Sequence, residues 1–514
     1  MDKLFIRIAW LKIIGASFLT KKPGSRYALC LFTILSFSIV RLSAQSVSPV
    51  SETIYNTIFR AGAASTKITP PVGCIMGNSY GITISEGVHD ELFARTLVFE
   101  RSGEKAAFIA LDLISIPYVI AVETRKLIAQ RTGIPVTSII MTATHAHAGP
   151  QMNPLFWKAV GGLPAQKSKE YLRDLPEMIS RSVELAQSRL QAVNVSVGTI
   201  RENTINFNRR FLMKDGSFRM NPGKGNPNSI RPVGPVDPDV SVVYFETFES
   251  KPLAILVNFA LHPAIVGGNR FSADFPAVIA ELLANVKGDD MVTIYTNGTS
   301  GNINNIDVNW PGQPEGYEEL TRIGTILAAD VLKALPTLHP IEVNSLKVHT
   351  QSVELPVPPV QPRDVKWAEE VMAKYGKPDS PPFDDIVKAW RIIDLNELKG
   401  GDKTRFESTT TVPLTDDGGE LKSEVQAIVL GNELALVGFP GDAFVELGLA
   451  IKQNSPFPYT IVNEQSGNGT LSYVPNRKAI TEGGYEGESA RFSPGGGEIL
   501  VDAVTRILID LFPY

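Results

Sequence analysis

From about residue 57 to its end the chain alternates apolar runs with amphipathic segments, and that alternation restricts it to folds in which strands and helices interleave. "KAAFIALDL" (105–113) reads as a buried strand, "VIAVETRKLIAQRTG" (119–133) as a helix stopped by its terminal glycine, and "VTSIIMTAT" (136–144) as the next strand. Further strands are expected at "VSVVYFETF", "LAILVNFAL", "MVTIYTN", "AIVLGNELALVGF" and "YTIVNE", with helices near 168–190, 274–286, 316–335, 443–453 and 498–511. No internal repeat or low-complexity linker is visible, so 57–514 reads as one large α/β domain. The charged, proline-punctuated stretch 358–405 reads as a helical insertion, a solvated decoration in preference to a lid.

The first residues read as an address. Lys21, Lys22 and Arg26 precede the apolar run "YALCLFTILSFSIV", which closes on the small-residue site "LSA". This pattern predicts a signal peptide over 1–44, cleavage after Ala44, and export to a periplasm, a cell surface or the medium. The upstream apolar segment "LFIRIAWLKIIGASFL" leaves an uncleaved anchor as the alternative. Of the two cysteines, Cys30 departs with the signal and Cys74 stands alone, so no intrachain disulfide is expected. With a net charge of −5 there is no basic surface for a phosphate backbone, which argues against nucleic acid as a partner.

The chemistry-bearing residues gather at strand ends, where α/β sheets place their sites. In "MTATHAHAGP" an extended backbone would turn His145 and His147 to one side across Ala146. The pair suits either a metal ligand beside a polarising donor or two hydrogen-bonded loop histidines. His262, in "VNFALHPAIVGG", ends another apolar strand; histidines on separate loops are what a zinc site with an open position for water requires. A carboxylate could come from "VGFPGDAFVELG", as Asp442, otherwise a helix cap, or as Glu446 one turn on. "IYTNGTSGNINN", with Gly298 and Ser300, could offer backbone N–H groups to an oxyanion or simply turn the chain. "LSYVPNRKAITEGGYEGES" adds Tyr473, Tyr485 and Glu486; "GVHDELFAR" adds His89, Asp90 and Arg95; "INFNRRF" adds Arg209 and Arg210.

In this order, "AGAASTKITPP", "GVHDELFARTLVF", "FIALDLISI", "TATHAHAGP", "NFNRR", "NFALHP", "FPGDAFVELG", "SYVPNRKAITEGGYE" and "FSPGGGEILVDAV" resemble the catalytic domain of the neutral (non-lysosomal) ceramidases, over about 57–514. The resemblance implies layered mixed β-sheets flanked by helices and zinc-dependent hydrolysis of the amide of N-acylsphingosine. It implies His145, His262, Asp442 and Tyr473 as zinc ligands, His147 as the histidine that addresses the substrate oxygen, and Arg209 as the active-site arginine. His89, Gly298 and Ser300 would line the substrate and oxyanion side. The sequence departs from the family pattern in three places. Asp442 stands where the family has glutamate, and Gly298 stands near the family's serine, with Ser300 two positions on. The family's C-terminal immunoglobulin-like domain is expected to be absent.

These residues together predict an exported zinc-dependent hydrolase of an amide bond acting on a lipid or small molecule, with room for association with a membrane surface. The alternatives are a zinc hydrolase of another carbonyl compound, such as an acylated or modified glycan, and a non-catalytic binding protein on the same fold.

Overall fold

The computed structural model describes residues 57–513, apart from 78–80, 154–156, 158, 159, 376, 378, 401–412 and 470. The expected signal peptide over 1–44 lies outside the described residues. Among those described, no helix is long and apolar enough to cross a membrane.

One order of elements occurs three times. The first third runs through strands β1 (Arg60–Lys67), β2 (Phe93–Arg101) and β3 (Glu104–Leu111), helix α1 (Tyr118–Thr132), strand β4 (Ile139–Ala143) and helix α2 (Gly162–Ser188). The second repeats it as β5 (Gln191–Arg201), β6 (Asp239–Thr247), β7 (Pro252–Phe259), α3 (Phe275–Lys287), β8 (Val292–Asn297) and α4 (Gly316–Ala334). After the short strand β9 (His339–Ile341), the third begins with β10 (Leu346–Pro356). Helices α5 (Pro362–Met372) and α6 (Phe383–Gly400) come next, then β11 (Glu420–Leu430), β12 (Leu434–Gly438), α7 (Val445–Asn454) and β13 (Tyr459–Asn463). Short helices α8 (Arg477–Glu482) and α9 (Gly484–Ser489) precede the closing helix α10 (Gly496–Leu511).

In each third the first three strands pair antiparallel in sequence, and the third pairs parallel with the fourth across a helix: β3 with β4, β7 with β8, β12 with β13. Joined between β1 and β5, the eight strands of the first two thirds, with β9 added alongside β5, form one nine-stranded sheet, and the last third contributes a four-stranded one. The sequence shows no repeat because the unit is maintained by burial pattern and not by identity. The inner faces meet in a common core that includes Phe108, Ile140, Val195, Phe245, Leu256, Ile428 and Leu436. The outer faces are covered by α1 and α2, by α3 and α4, and by α7 and α10. Strands covered on both faces read as continuous apolar runs, as in β7, "PLAILVNF". In contrast β5 alternates, burying Val193, Val195 and Val197.

Caps set the helix ends. Gly133, at φ 73°, closes α1 by donating its N–H to the Ala129 carbonyl at 3.0 Å. Asp274 opens α3, accepting from Phe275 N at 2.8 Å and from Ile265 N and Val266 N at 3.0 and 3.2 Å.

Within the expected 358–405 insertion the described residues form two helices, α5 and α6, and α6 is not a solvated decoration. Leu395 and Leu398 of α6 enter the core beneath the four-stranded sheet, and Asp394 pairs with Arg491. The Phe383 ring lies 5.4 Å from that of Tyr485.

Candidate metal centre

The carboxyl ends of the three parallel strand pairs are stitched to one another. His147 N donates to the Pro263 carbonyl at 3.0 Å, Ala143 N to the Gln465 carbonyl at 3.2 Å, Glu464 N to the Asn297 carbonyl at 3.1 Å, and Gly301 N to the Ala443 carbonyl at 2.7 Å. Side chains from all three thirds therefore converge on one buried point. His145 and His147 follow β4, His262 follows β7, Asp442 follows β12, and Tyr473 pairs beside Asp442 on a short parallel ladder.

The three Nε2 atoms form a triangle: 3.1 Å between His145 and His262, 3.1 Å between His145 and His147, and 3.0 Å between His147 and His262. A neutral imidazole Nε2 presents either one hydrogen or one lone pair. Three such atoms at mutual hydrogen-bond distance cannot all form donor–acceptor pairs, since at least one pair sets like against like. A cation between them resolves the conflict. Tetrahedral coordination with Zn–N bonds of about 2.0–2.1 Å places ligand nitrogens about 3.3–3.4 Å apart, close to this triangle. Burial above all, with the Arg209 charge adding to it, holds the His147 and His262 imidazoles well below their ordinary pKa, which favours the neutral form that metal binding requires. His145 Nδ1 is bonded to the Ile114 carbonyl at 2.6 Å, which orients its Nε2 inward.

Asp442 Oδ1 lies 3.3 Å from His145 Nε2 and accepts from Gln465 Nε2. It belongs to the ladder preceding α7, whose N-cap is Phe444, so it is not a helix cap. Glu446 turns elsewhere, accepting from Asn302 Nδ2 at 2.9 Å, and does not join the group. Arg209 donates from Nη2 to the Gly301 carbonyl at 2.7 Å and to Tyr473 Oη at 2.8 Å, and from Nε to Glu486 at 3.1 Å. Among the described residues its Nη1 donates to no protein group. Burial pushes the Tyr473 phenol pKa up, and the Arg209 charge opposes it.

Several expectations change. His145 and His147 do converge, but through a left-handed His145 (φ 65°) and not through the pleat of an extended strand. His147 Nε2 completes the nitrogen triangle with His145 and His262. His89 does not join the histidine group: its Nδ1 bonds Asp90 at 2.8 Å, and its ring stacks on Tyr317 at 4.0 Å. Arg95 pairs with buried Asp112, and Arg210 holds Glu482 at 3.1 Å. The glycine loop has no N–H to spare for an oxyanion at 298, 300, 301 or 303, because these donate to Phe259 O, Glu464 Oε2, Ala443 O and Ser300 O. A Cβ on Gly298 would sit 3.0–3.2 Å from Ala260, a tight contact that asks the neighbour to give by a few tenths of an ångström. Ser300 is buried, its Oγ donating to Glu464 at 2.7 Å and accepting from Asn297 Nδ2 at 2.8 Å, so it ties the glycine loop to the 464 loop.

Glu464 and Gln465 escaped the sequence reading. Glu464 accepts four bonds, from Asn297 Nδ2, Ser300 Oγ, Ser300 N and Ala443 N. Burial and the nearby Asp442 carboxylate nevertheless push its pKa up. Their place immediately after "YTIVN" was the available signal, since the other site residues also follow strands.

The fold and site together define a mixed α/β protein with a buried three-histidine centre where parallel strand ends meet. Residues 59–278 match the family described as neutral/alkaline non-lysosomal ceramidase, N-terminal. Among solved structures, a ceramidase complexed with C2 aligns at TM-score 0.66 and 18% identity, covering 89% of this chain and 76% of that one. Neutral ceramidase from Pseudomonas aeruginosa aligns at 0.65 and 19%, with the same coverage. The chain has the fold of these proteins. A comparison with curated protein sequences gives no match.

Proposed function

We propose that this chain is an exported zinc-dependent hydrolase that cleaves the amide of an N-acylated lipid of the ceramide class. The observation that carries the reading is the triangle of imidazole nitrogens with Asp442 beside it, on a chain whose residues 59–278 match the ceramidase family. His145, His147 and His262, with Asp442 as the carboxylate, would hold the ion. Zinc there supplies polarisation of the scissile carbonyl and activation of water. Arg209 provides the fixed positive charge for the developing oxyanion. Its Nε and Nη2 are committed to Glu486, Gly301 and Tyr473, which fixes the guanidinium and leaves Nη1 as its uncommitted donor. Because the Ser300 Oγ is held by Glu464 and Asn297, and position 298 is a glycine with no hydroxyl, the reading uses water as the nucleophile.

The test is elemental analysis of the purified chain from Gln45 onward, together with release of fatty acid from a short-chain N-acylsphingosine. About one zinc per chain, lost with its hydrolysis in His262→Ala, is expected. Zinc without hydrolysis of the N-acyl lipid, but with hydrolysis of an acylated glycan, would move the substrate class. No zinc in the wild type would overturn the metal reading.

A further inference from the structure

We propose that Gln465 is a positioning residue that anchors Asp442 beside the metal ion; this rests on the metal reading above. Its side chain and its backbone both converge on that task.

The side-chain amide donates from Nε2 to Asp442 Oδ1, the oxygen that faces His145 Nε2 at 3.3 Å. Among the described residues no other hydrogen bond reaches the Asp442 carboxylate. An aspartate has two torsions with which to swing its carboxylate, and the amide donor removes that freedom while leaving the oxygen's second lone pair for a cation. A glutamate at 465 would set charge against charge at this buried place, whereas a neutral donor does not.

The backbone of Gln465 binds both ligand loops. Its N–H donates to the Gly441 carbonyl at 3.1 Å, one residue before Asp442, and its carbonyl accepts from Ala143 N at 3.2 Å, two residues before His145. Next to it, Glu464 Oε2 takes Ala443 N at 3.0 Å, on the other side of Asp442. Residues 464 and 465 thus hold Asp442 from behind and in front, and tie it to the first third of the chain.

This arrangement has a conformational cost. Gln465 sits at φ 54°, a left-handed backbone that a long side chain rarely adopts. His145 at 65° and Ser472 at 59°, on the neighbouring loops, share it. A residue chosen only for local stability at such a position would be glycine or asparagine. The glutamine here is accounted for by what its amide does.

The test measures zinc affinity by competition against a chromophoric chelator, and the melting temperature of the metal-free protein, for the wild type, Gln465→Met and Gln465→Gly. Methionine preserves length and removes the donor; glycine removes the donor and relieves the left-handed strain. Both variants should bind zinc about 10–100-fold more weakly. The metal-free melting temperature should fall modestly in Gln465→Met, which leaves the buried Asp442 carboxylate without its donor, and less in Gln465→Gly, which also relieves the left-handed backbone. Affinities within twofold of wild type, or losses that merely track a fall in melting temperature in both variants, would overturn the role. A wild type that binds no zinc would overturn the metal reading and this proposal with it, whereas tight wild-type binding shared by both variants removes only the role of Gln465.

Discussion

Replacing Arg209 with methionine separates what the arginine does for the fold from what it does for the reaction. The guanidinium is 5% exposed and holds Glu486 at 3.1 Å, the Gly301 carbonyl at 2.7 Å and Tyr473 Oη at 2.8 Å. Methionine retains most of the apolar stem, so the loss is electrostatic. Glu486 is completely buried, and without Arg209 its nearest cation is Arg210, at 3.6 Å from the other oxygen. Removing one partner of a buried ion pair costs about 3–5 kcal/mol, and the remaining Arg210 sets the expected loss near the lower end, about 3 kcal/mol. Adding Glu486→Gln removes the stranded charge and should return the double variant to within about 1–2 kcal/mol of wild type. Urea unfolding of the metal-free chain reads both, comparing midpoints at constant m. A loss under about 1 kcal/mol for Arg209→Met, or simple additivity of the two substitutions, would refute this account. Turnover should behave differently. Losing the Nη1 donor lowers kcat about 10²–10³-fold in the single and the double variant alike, because neutralising Glu486 does not restore the donor.

Asp274 gives a pH signature away from the histidines: burial raises its pKa to about 6 against three backbone N–H bonds. With an unfolded value of about 3.9, the folded state binds more protons between pH 4 and 6, so stability falls by about 3 kcal/mol as pH rises through that window. Asp274→Ser keeps a cap and abolishes the titration, so thermal melts of the two proteins at pH 4 to 7 should diverge; parallel profiles would contradict the assignment. Gly298→Ser, forced against the Ala260 backbone at 3.0–3.2 Å, should cost about 1–3 kcal/mol in denaturant unfolding and bring no gain in turnover. Leu395→Ala, in a side chain 1% exposed, should destabilise by about 2–5 kcal/mol if α6 is part of the core, whereas a loosely attached insertion would lose less than about 0.5 kcal/mol.

How much could be read without coordinates depended on whether the cause was local. The helices over 118–132, 275–287 and 316–334 and the strands over 104–111, 252–259 and 292–297 were legible because period, caps and β-branched runs act within a dozen residues. The strands that open each third, Arg60–Lys67, Gln191–Arg201 and Leu346–Pro356, were missed. "RAGAASTK" is small and polar, and the other two alternate with charged or polar residues, so their strand character comes from partners far along the chain.

Of the candidate centre, residue chemistry and the strand-end rule, both local, pointed to His145, His147, His262 and Asp442, while Arg209 and Tyr473 were singled out from their neighbours Arg210 and Tyr485 by the resemblance to the ceramidase family. Which of them meet was a tertiary matter. Packing of three similar units turned separate strand ends toward one point, drew His147 into the nitrogen triangle and left His89 on Tyr317. It brought Gly298 close to Ala260 and set Gln465 against Asp442, a contact that spans 23 residues. Such contacts depend on distances through space between residues remote in the chain, and no local pattern encodes them.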